Sequence, residues 1–188
     1  ETIDRLRGNP ALKGLRPMLQ GIHEDDWILR PEVQSALAHM QEVGLCFDAL
    51  VQPRHLDAVA RVAKSYPELK IVIDHIAKPD MGAGKAPDGS WSKGMAALGQ
   101  YPNVYCKLSG MVTEIGPAWS RDQIAPIADH VLNCFGSSKL MWGSDWPVVN
   151  LAADYETWLR TARQLVDQMS PDEQHDVFWR TGHAFYNL

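Results

Sequence analysis

The 188-residue chain switches between two hydrophobic rhythms: short unbroken apolar runs, and longer stretches with an apolar residue at every third or fourth position. The short runs predict strands at 14–20 (GLRPMLQ), 44–51 (GLCFDALV), 70–77 (KIVIDHIA), 103–110 (NVYCKLSG) and 139–146 (KLMWGSDW). Apolar runs of this length bounded by turn formers suit buried strands. The longer stretches predict helices at 31–44, 53–67, 91–102 and 120–136, followed by two more at 152–169 and 171–187. Proline opens the first helix and glycine closes it, as helix termini favour. Pro126 is expected either in a first turn or at a kink, because proline has no N–H to give to the helix. The segment 82–90 (GAGKAPDGS) reads as a surface loop too short to link domains.

Strict alternation of strand and helix argues for an α/β fold with a parallel sheet, either doubly wound or part of a (β/α)8 TIM barrel. No GxGxxG or GxxxxGK[ST] follows the first strand, so the usual nucleotide site of a doubly wound sheet has no fingerprint. Polar residues are spread over all the strands instead of clustering at one switch point, which favours the barrel. Five strands cannot close an eight-stranded barrel, for which about 250 residues are typical. The expectation is one domain, 1–188, forming the C-terminal portion of a barrel whose N-terminal strands are missing. The opening ETIDRLRGNP, on Glu rather than Met, reads as a processed or truncated product.

Composition narrows the partners. With 45% hydrophobic residues a core can form, and a net charge of -5 offers no attraction for nucleic acid or anionic membrane. No apolar run reaches the roughly 18 residues that span a bilayer. Cys46, Cys106 and Cys134 form no CxxC pair and are read as reduced core thiols, which points to the cytoplasm. The partner implied is a small-molecule substrate, with homo-oligomerisation left open.

Side chains two apart on a strand share a face. Arg16, Met18 and Gln20 then align, as do Cys46, Asp48 and Leu50; Ile71, Ile73 and His75; Tyr105, Lys107 and Ser109; and Met141, Gly143 and Asp145. If these faces line a lumen, Arg16, Gln20, Asp48, His75, Lys107 and Asp145 converge at the C-terminal rim, where such barrels place their chemistry. Each has a bland reading too: Asp145 as a turn former, His75 as a structural histidine, Lys107 as a snorkelling side chain, and Arg16 with Asp48 as a structural salt bridge. Charges inside a core cost several kcal/mol each unless paired, so a ring of them points to function. His23, in the acidic loop GIHEDDW, is placed at the same rim. His39, His55, His130, His175 and His183 are read as structural or solvated. Trp91, Trp119 and Trp146 either wall a pocket or pack the core.

The stretches FDALVQPRHL (47–56), IVIDHIAKP (71–79), VYCKLSGMVTE (104–114) and MWGSDWPV (141–148) resemble the amidohydrolase-related (amidohydrolase 2) family, in its sugar-lactonase-like branch of metal-dependent hydrolases. The resemblance runs from LKGLRPMLQ to HAFYNL and implies a (β/α)8 barrel to which this chain contributes strands four to eight. It implies Asp145 and His75 as catalytic residues and as ligands of a divalent metal such as Zn2+, with a metal-independent reaction the alternative. It implies Arg16, Gln20, Asp48, Lys107, Trp146 and His23 as substrate-binding residues. The His-x-His motif of the family's first strand does not occur here, and Pro17 stands where relatives carry His. The implied reaction is hydrolysis of a small ester or lactone, with Asp145 as general base. The alternatives are a decarboxylase or C–C hydrolase of an aromatic acid on the same barrel, or an inactive barrel fragment.

Overall fold

Five parallel strands pair in chain order: β1 Gly14–Leu15, β2 Cys46–Ala49, β3 Ile71–Ile73, β4 Val104–Leu108 and β5 Leu140–Trp142. The computed structural model describes residues 2–188. The register runs Phe47↔Ile71, Ile71↔Val104 and Cys106↔Leu140. A doubly wound sheet sends later strands back past the first. Here every new strand extends the same edge, so the sheet is an arc of a (β/α) barrel.

The helices are α1 Thr2–Leu6, α2 Pro31–Glu42, α3 Leu56–Ser65, α4 Gly89–Gly99, α5 Met111–Ile115, α6 Arg121–Phe135, α7 Tyr155–Leu165, α8 Pro171–His175 and α9 Thr181–Tyr186. A π-helical turn, Asp176–Arg180, joins the last two. In α3 the buried residues Leu56, Val59, Val62 and Ala63 recur at helical spacing, and α6 buries Ile124, Ile127, Ala128, Val131 and Phe135 in the same way. Each such aliphatic side chain taken from water contributes about 2 kcal/mol. A Ser120–Gln123 capping box starts α6 and Gly136, in left-handed backbone at φ 65, ends it.

Strand alternation divides the core in two. Phe47, Ile71, Ile73, Val104, Cys106, Leu108 and Leu140 face the helices. Cys46, Val72 and Met141 face the other way and pack with Phe185 of α9, flanked by Tyr105 and Tyr186. This second face is the concave side of the arc.

The structure corrects several expectations. Every predicted strand extends too far at its C-terminal end: β1, β3 and β5 stop short of Arg16, Asp74 and Asp145, whereas Asp48 and Lys107 lie within β2 and β4. β1 stops at Leu15, and a 3-10 turn, Leu19–Gly21, carries Gln20. On β3 the predicted face is reversed: Ile71 and Ile73 pack against helices and Val72 faces inward. Pro126 falls beyond the first turn of α6. Cys46, Cys106 and Cys134 are free thiols, the first two buried. Among the described residues no helix is long and apolar enough to cross a membrane.

Candidate active site

The site starts where β3, β4 and β5 end. After Ile73, Asp74 continues inward, and the backbone then turns left-handed at His75, Ile76, Ala77 and Lys78, with φ between 45 and 62. Left-handed backbone costs roughly 1–2 kcal/mol for each residue other than glycine, so the surroundings must hold this turn in place. After Trp142 the chain reaches Asp145, also left-handed at φ 56. These two departures bring His75 and Asp145 face to face, with Nε2 3.5 Å from Oδ1. Ser109, buried just past β4, places its Oγ 2.8 Å from His75 Nδ1, leaving Nε2 as the nitrogen presented to Asp145.

Their protonation follows from burial. Burial pushes the His75 imidazole well below the ordinary histidine value, against the pull of the Asp145 carboxylate. Burial likewise raises the Asp145 carboxyl above the usual carboxylate range, opposed by His75 and Lys78. Burial thus favours the neutral imidazole on His75 and makes the Asp145 carboxyl group more basic than usual.

Beneath them lies an ionic layer. Asp74 is fully buried and has Lys107 Nζ 2.7 Å from Oδ1 and Arg16 Nη1 3.6 Å from Oδ2. Lys107 also donates to Asp48 Oδ2 at 2.7 Å, and the Tyr186 hydroxyl donates to the same oxygen at 2.6 Å. Burial opposes the charge on Lys107, but the carboxylates of Asp74 and Asp48 outweigh it and hold the ammonium above the ordinary lysine value. The bland pairing of Arg16 with Asp48 is thus replaced by Arg16–Asp74 and Lys107–Asp48. Lys78, in the turn after β3, and Glu114, in α5 after β4, form a further ion pair.

A cavity of about 500 Å3 opens over these groups. Arg16, His75, Lys107, Ser109, Asp145 and Trp146 line it from the strand ends, and Phe178, Trp179, His183 and Tyr186 from the C-terminal helices. Trp146 is 66% exposed and Trp179 60%. His183, read as structural or solvated, is instead a wall residue set at a tilt against Trp179, with ring centroids 5.4 Å apart.

Three expected residues are not brought to the cavity: Asp48, which lies in the ionic layer beneath it, Gln20 and His23. Gln20 does not line it, and its Oε1 is buried without a hydrogen-bond partner. His23 does not line it either: Arg54 donates to the carbonyls of Ile22 and His23, at 2.7 and 3.3 Å, and pairs with Asp25, clamping that acidic loop to the start of α3. The Gln20 expectation rests on extending β1, which ends at Leu15, whereas that for His23 rests on its loop alone. His55 is buried, with Nδ1 accepting from Gln52 N–H at 3.0 Å, and His39 pairs with Asp4 at 2.7 Å.

The amidohydrolase family model matches residues 1–188. The chain belongs to the amidohydrolase family. This amidohydrolase chain is 43% identical over 190 residues to an L-fucono-1,5-lactonase of Burkholderia ambifaria, covering 99% of this chain and 65% of that protein. It is 33% identical to an L-fucono-1,5-lactonase of Burkholderia multivorans, covering 95% and 63%. The chain therefore spans just under two thirds of the length of these curated relatives. A crystal structure of a Burkholderia multivorans amidohydrolase with bound zinc superposes with a TM-score of 0.93 at 28% identity, covering 100% of this chain and 69% of that one.

Sequence reasoning missed Asp74, Ser109 and Tyr186 in this amidohydrolase site. A lone Asp inside the apolar run IVID is itself a signal, since a buried carboxylate needs a partner. Ser109 was on the correct face but was not weighed. Tyr186 and Trp179 reach the cavity from the far end of the chain, and no local pattern announces that.

Proposed function

We propose that the protein hydrolyses a small sugar lactone, such as an L-sugar 1,5-lactone, in a barrel of which residues 1–188 are one portion. The observation that carries this reading is the basic Asp145 carboxylate facing a neutral His75 that Ser109 orients, at the mouth of a cavity lined by cations and aromatic rings. The two lactonase relatives support the choice of bond. Asp145 takes a proton from water as the water oxygen attacks the lactone carbonyl. The ring C–O bond then breaks, and that proton goes to the departing ring oxygen, leaving the open hydroxy acid. His75, kept neutral, orients the water or carbonyl rather than acting as an imidazolium acid.

The two cations divide the remaining work. Lys107 is boxed between two carboxylates and holds the floor of the site. Arg16 has a side chain 54% exposed and only a loose contact with Asp74, so it is the cation free to meet the developing oxyanion or the sugar hydroxyls. Trp146 offers an apolar face to the ring, and Asp48 supports Lys107. Gln20 and His23 would touch substrate only through a rearranged loop.

For a divalent metal, His75 Nε2 and Asp145 Oδ1 are the donors. Their 3.5 Å separation is close to the roughly 3.3 Å edge of a zinc tetrahedron with bonds of about 2.0–2.1 Å, and a neutral imidazole bonded through its other nitrogen is the form that ligates. Among the described residues no group of three ligating side chains converges, and this pair would supply two of the ligands. A zinc ion held there would acidify the attacking water. The three free thiols support a cytoplasmic setting, and the net charge of -5 supports a small-molecule partner rather than nucleic acid or membrane.

The test is Asp145→Asn in the full protein against a panel of sugar 1,5- and 1,4-lactones. Turnover should drop by at least about a hundredfold with the melting temperature preserved. Wild-type turnover in the variant would remove Asp145 from the mechanism.

A further inference from the structure

His75 and Asp145 share an unusual support. The left-handed run from His75 to Lys78 makes few bonds of its own. Lys78 N–H reaches the His75 carbonyl at 2.9 Å, but the next donor in line would be Pro79, which has no N–H for the carbonyl of Ile76. Ile76 is fully buried, so that carbonyl has no water to turn to. Trp91 supplies the donor, its Nε1–H reaching Ile76 O at 2.8 Å. On the facing loop, Trp158 Nε1–H donates to Gly143 O, also at 2.8 Å, just before Asp145.

The two supports are built alike. Trp91 lies in the first turn of α4, which follows β3, and Trp158 in the first turn of α7, which follows β5. Each helix is capped by an aspartate: Asp88 accepts from Trp91 N–H at 2.9 Å, and Asp154 from Thr157 N–H at 2.6 Å. Both indoles are fully buried and packed, so neither has a second rotamer to adopt without opening the core. A rigid chain of contacts thus runs from helix cap to indole to the backbone beside each reacting residue.

We propose that Trp91 and Trp158 are positioning residues, paired struts that set the separation of His75 and Asp145. This rests on the reading of His75 and Asp145 as the working pair. The strut bonds are made to backbone, so a phenylalanine keeps the packing and loses the strut. Trp119, half-buried, serves as a comparison, since its Nε1–H donates at 3.0 Å to Ala152 O, beyond the turn that follows Asp145 and not to the backbone between the pair.

Trp91→Phe and Trp158→Phe should each lower kcat on the lactone about tenfold, the scale expected for a displacement of a few tenths of an ångström, with KM changed by less than about twofold. Each should also move the His75 ring resonances at fixed pH, while Trp119→Phe lowers the melting temperature and leaves kcat and those resonances unchanged. The resonances are read without substrate, so they test the struts even if the protein proves inactive on lactones. Variants that lose stability as Trp119→Phe does, with His75 resonances at wild-type positions, would overturn the proposal. If the variants do not fold, indole hydrogen exchange in the wild-type protein decides. Trp91 and Trp158 N–H should exchange far more slowly than those of exposed Trp146 and Trp179, and equal rates would refute the struts.

Discussion

Gly110→Ala probes the site without touching a charged group. Gly110 sits at φ +76, and a Cβ built there would lie 2.6 Å from His75 Cβ and 3.0 Å from its Cγ. Ordinary carbon contacts are about 3.5–4.0 Å, so about 1 Å must be found. The atom met is the first of the His75 side chain, attached to a backbone already held in a left-handed turn, so the strain passes to the imidazole and its bond to Ser109. Two costs follow: roughly 1–2 kcal/mol for a left-handed alanine and roughly 1–3 kcal/mol for overpacking. Together they amount to a fall of about 4–20 °C in melting temperature for a chain of this size. A misplacement of about 1 Å should lower kcat/KM about a hundredfold, or about 2.7 kcal/mol in the barrier. Gly44→Ala separates the two costs, because Gly44 has nearly the same φ, +73, and its Cβ would meet nothing within 4 Å. That variant should lose stability by the backbone cost alone and keep full activity. The assay is kcat/KM for lactone opening at 25 °C beside thermal melts of both variants. A folded Gly110→Ala protein with activity within about threefold of wild type would show that His75 placement does not limit the reaction.

Lys107→Met should destabilise the protein by about 3–5 kcal/mol, because it leaves the buried Asp74 carboxylate with only the loose Arg16 contact. Adding Asp74→Asn should restore much of that loss in a urea titration, and a double variant no better than the single would refute the pairing. His55 is held below the ordinary histidine value of 6.5, first by burial and then by the charge of Arg54, with Asp25 opposing. The unfolded chain takes up a proton that folded His55 resists, so this contribution is complete above about pH 6.5 and is lost as pH falls through it. His55→Gln should therefore reduce the slope of stability between about pH 7 and 5, and an unchanged slope would assign it elsewhere. His39, raised by Asp4 and then Glu42, acts in the opposite sense: its contribution is complete below about pH 6.5 and lost as pH rises above it, so His39→Gln should lessen the fall of stability above that pH in the same titration.

Period-two reading identified the inward faces of β2 and β4, where Asp48 and Lys107 mark one face, and that of β5, where LMW is apolar throughout and the face follows only by counting back from Asp145. It failed on β3, where KIVIDHIA is apolar on both faces and alternation carries no information. Asp74 and His75 are consecutive yet both serve the site, which is possible only because the backbone leaves the strand between them. Gln20 misses the cavity because counting by twos past Leu15 crosses a segment that is no longer a strand, and His23 because the loop that carries it is held by Arg54. The strand ends are therefore where sequence periodicity is least informative and where the chemistry sits. The family motifs point to His75 and Asp145 independently of strand counting, because they record side-chain identity rather than backbone shape.

The layering of the concave face explains why Lys107 and Arg16 cannot exchange roles. Cys46, Val72, Met141 and Phe185 make an apolar floor, and the Asp48–Lys107–Asp74 layer rests directly on it. Over such a floor an unpaired charge is costly, so Lys107 is fixed by the carboxylates that neutralise it, and the Tyr186 hydroxyl ties the same layer to α9. A cation committed in this way cannot swing toward a substrate without stranding Asp74. Arg16 lies at the edge of the layer with half its side chain in solvent, and its departure leaves Asp74 still paired with Lys107. Mobility and buried charge are thus assigned to different residues. Arg16→Gln should accordingly raise KM with little loss of stability, whereas Lys107→Met acts mainly on stability. Kinetics and melts on the two variants would refute this division if their effects were reversed.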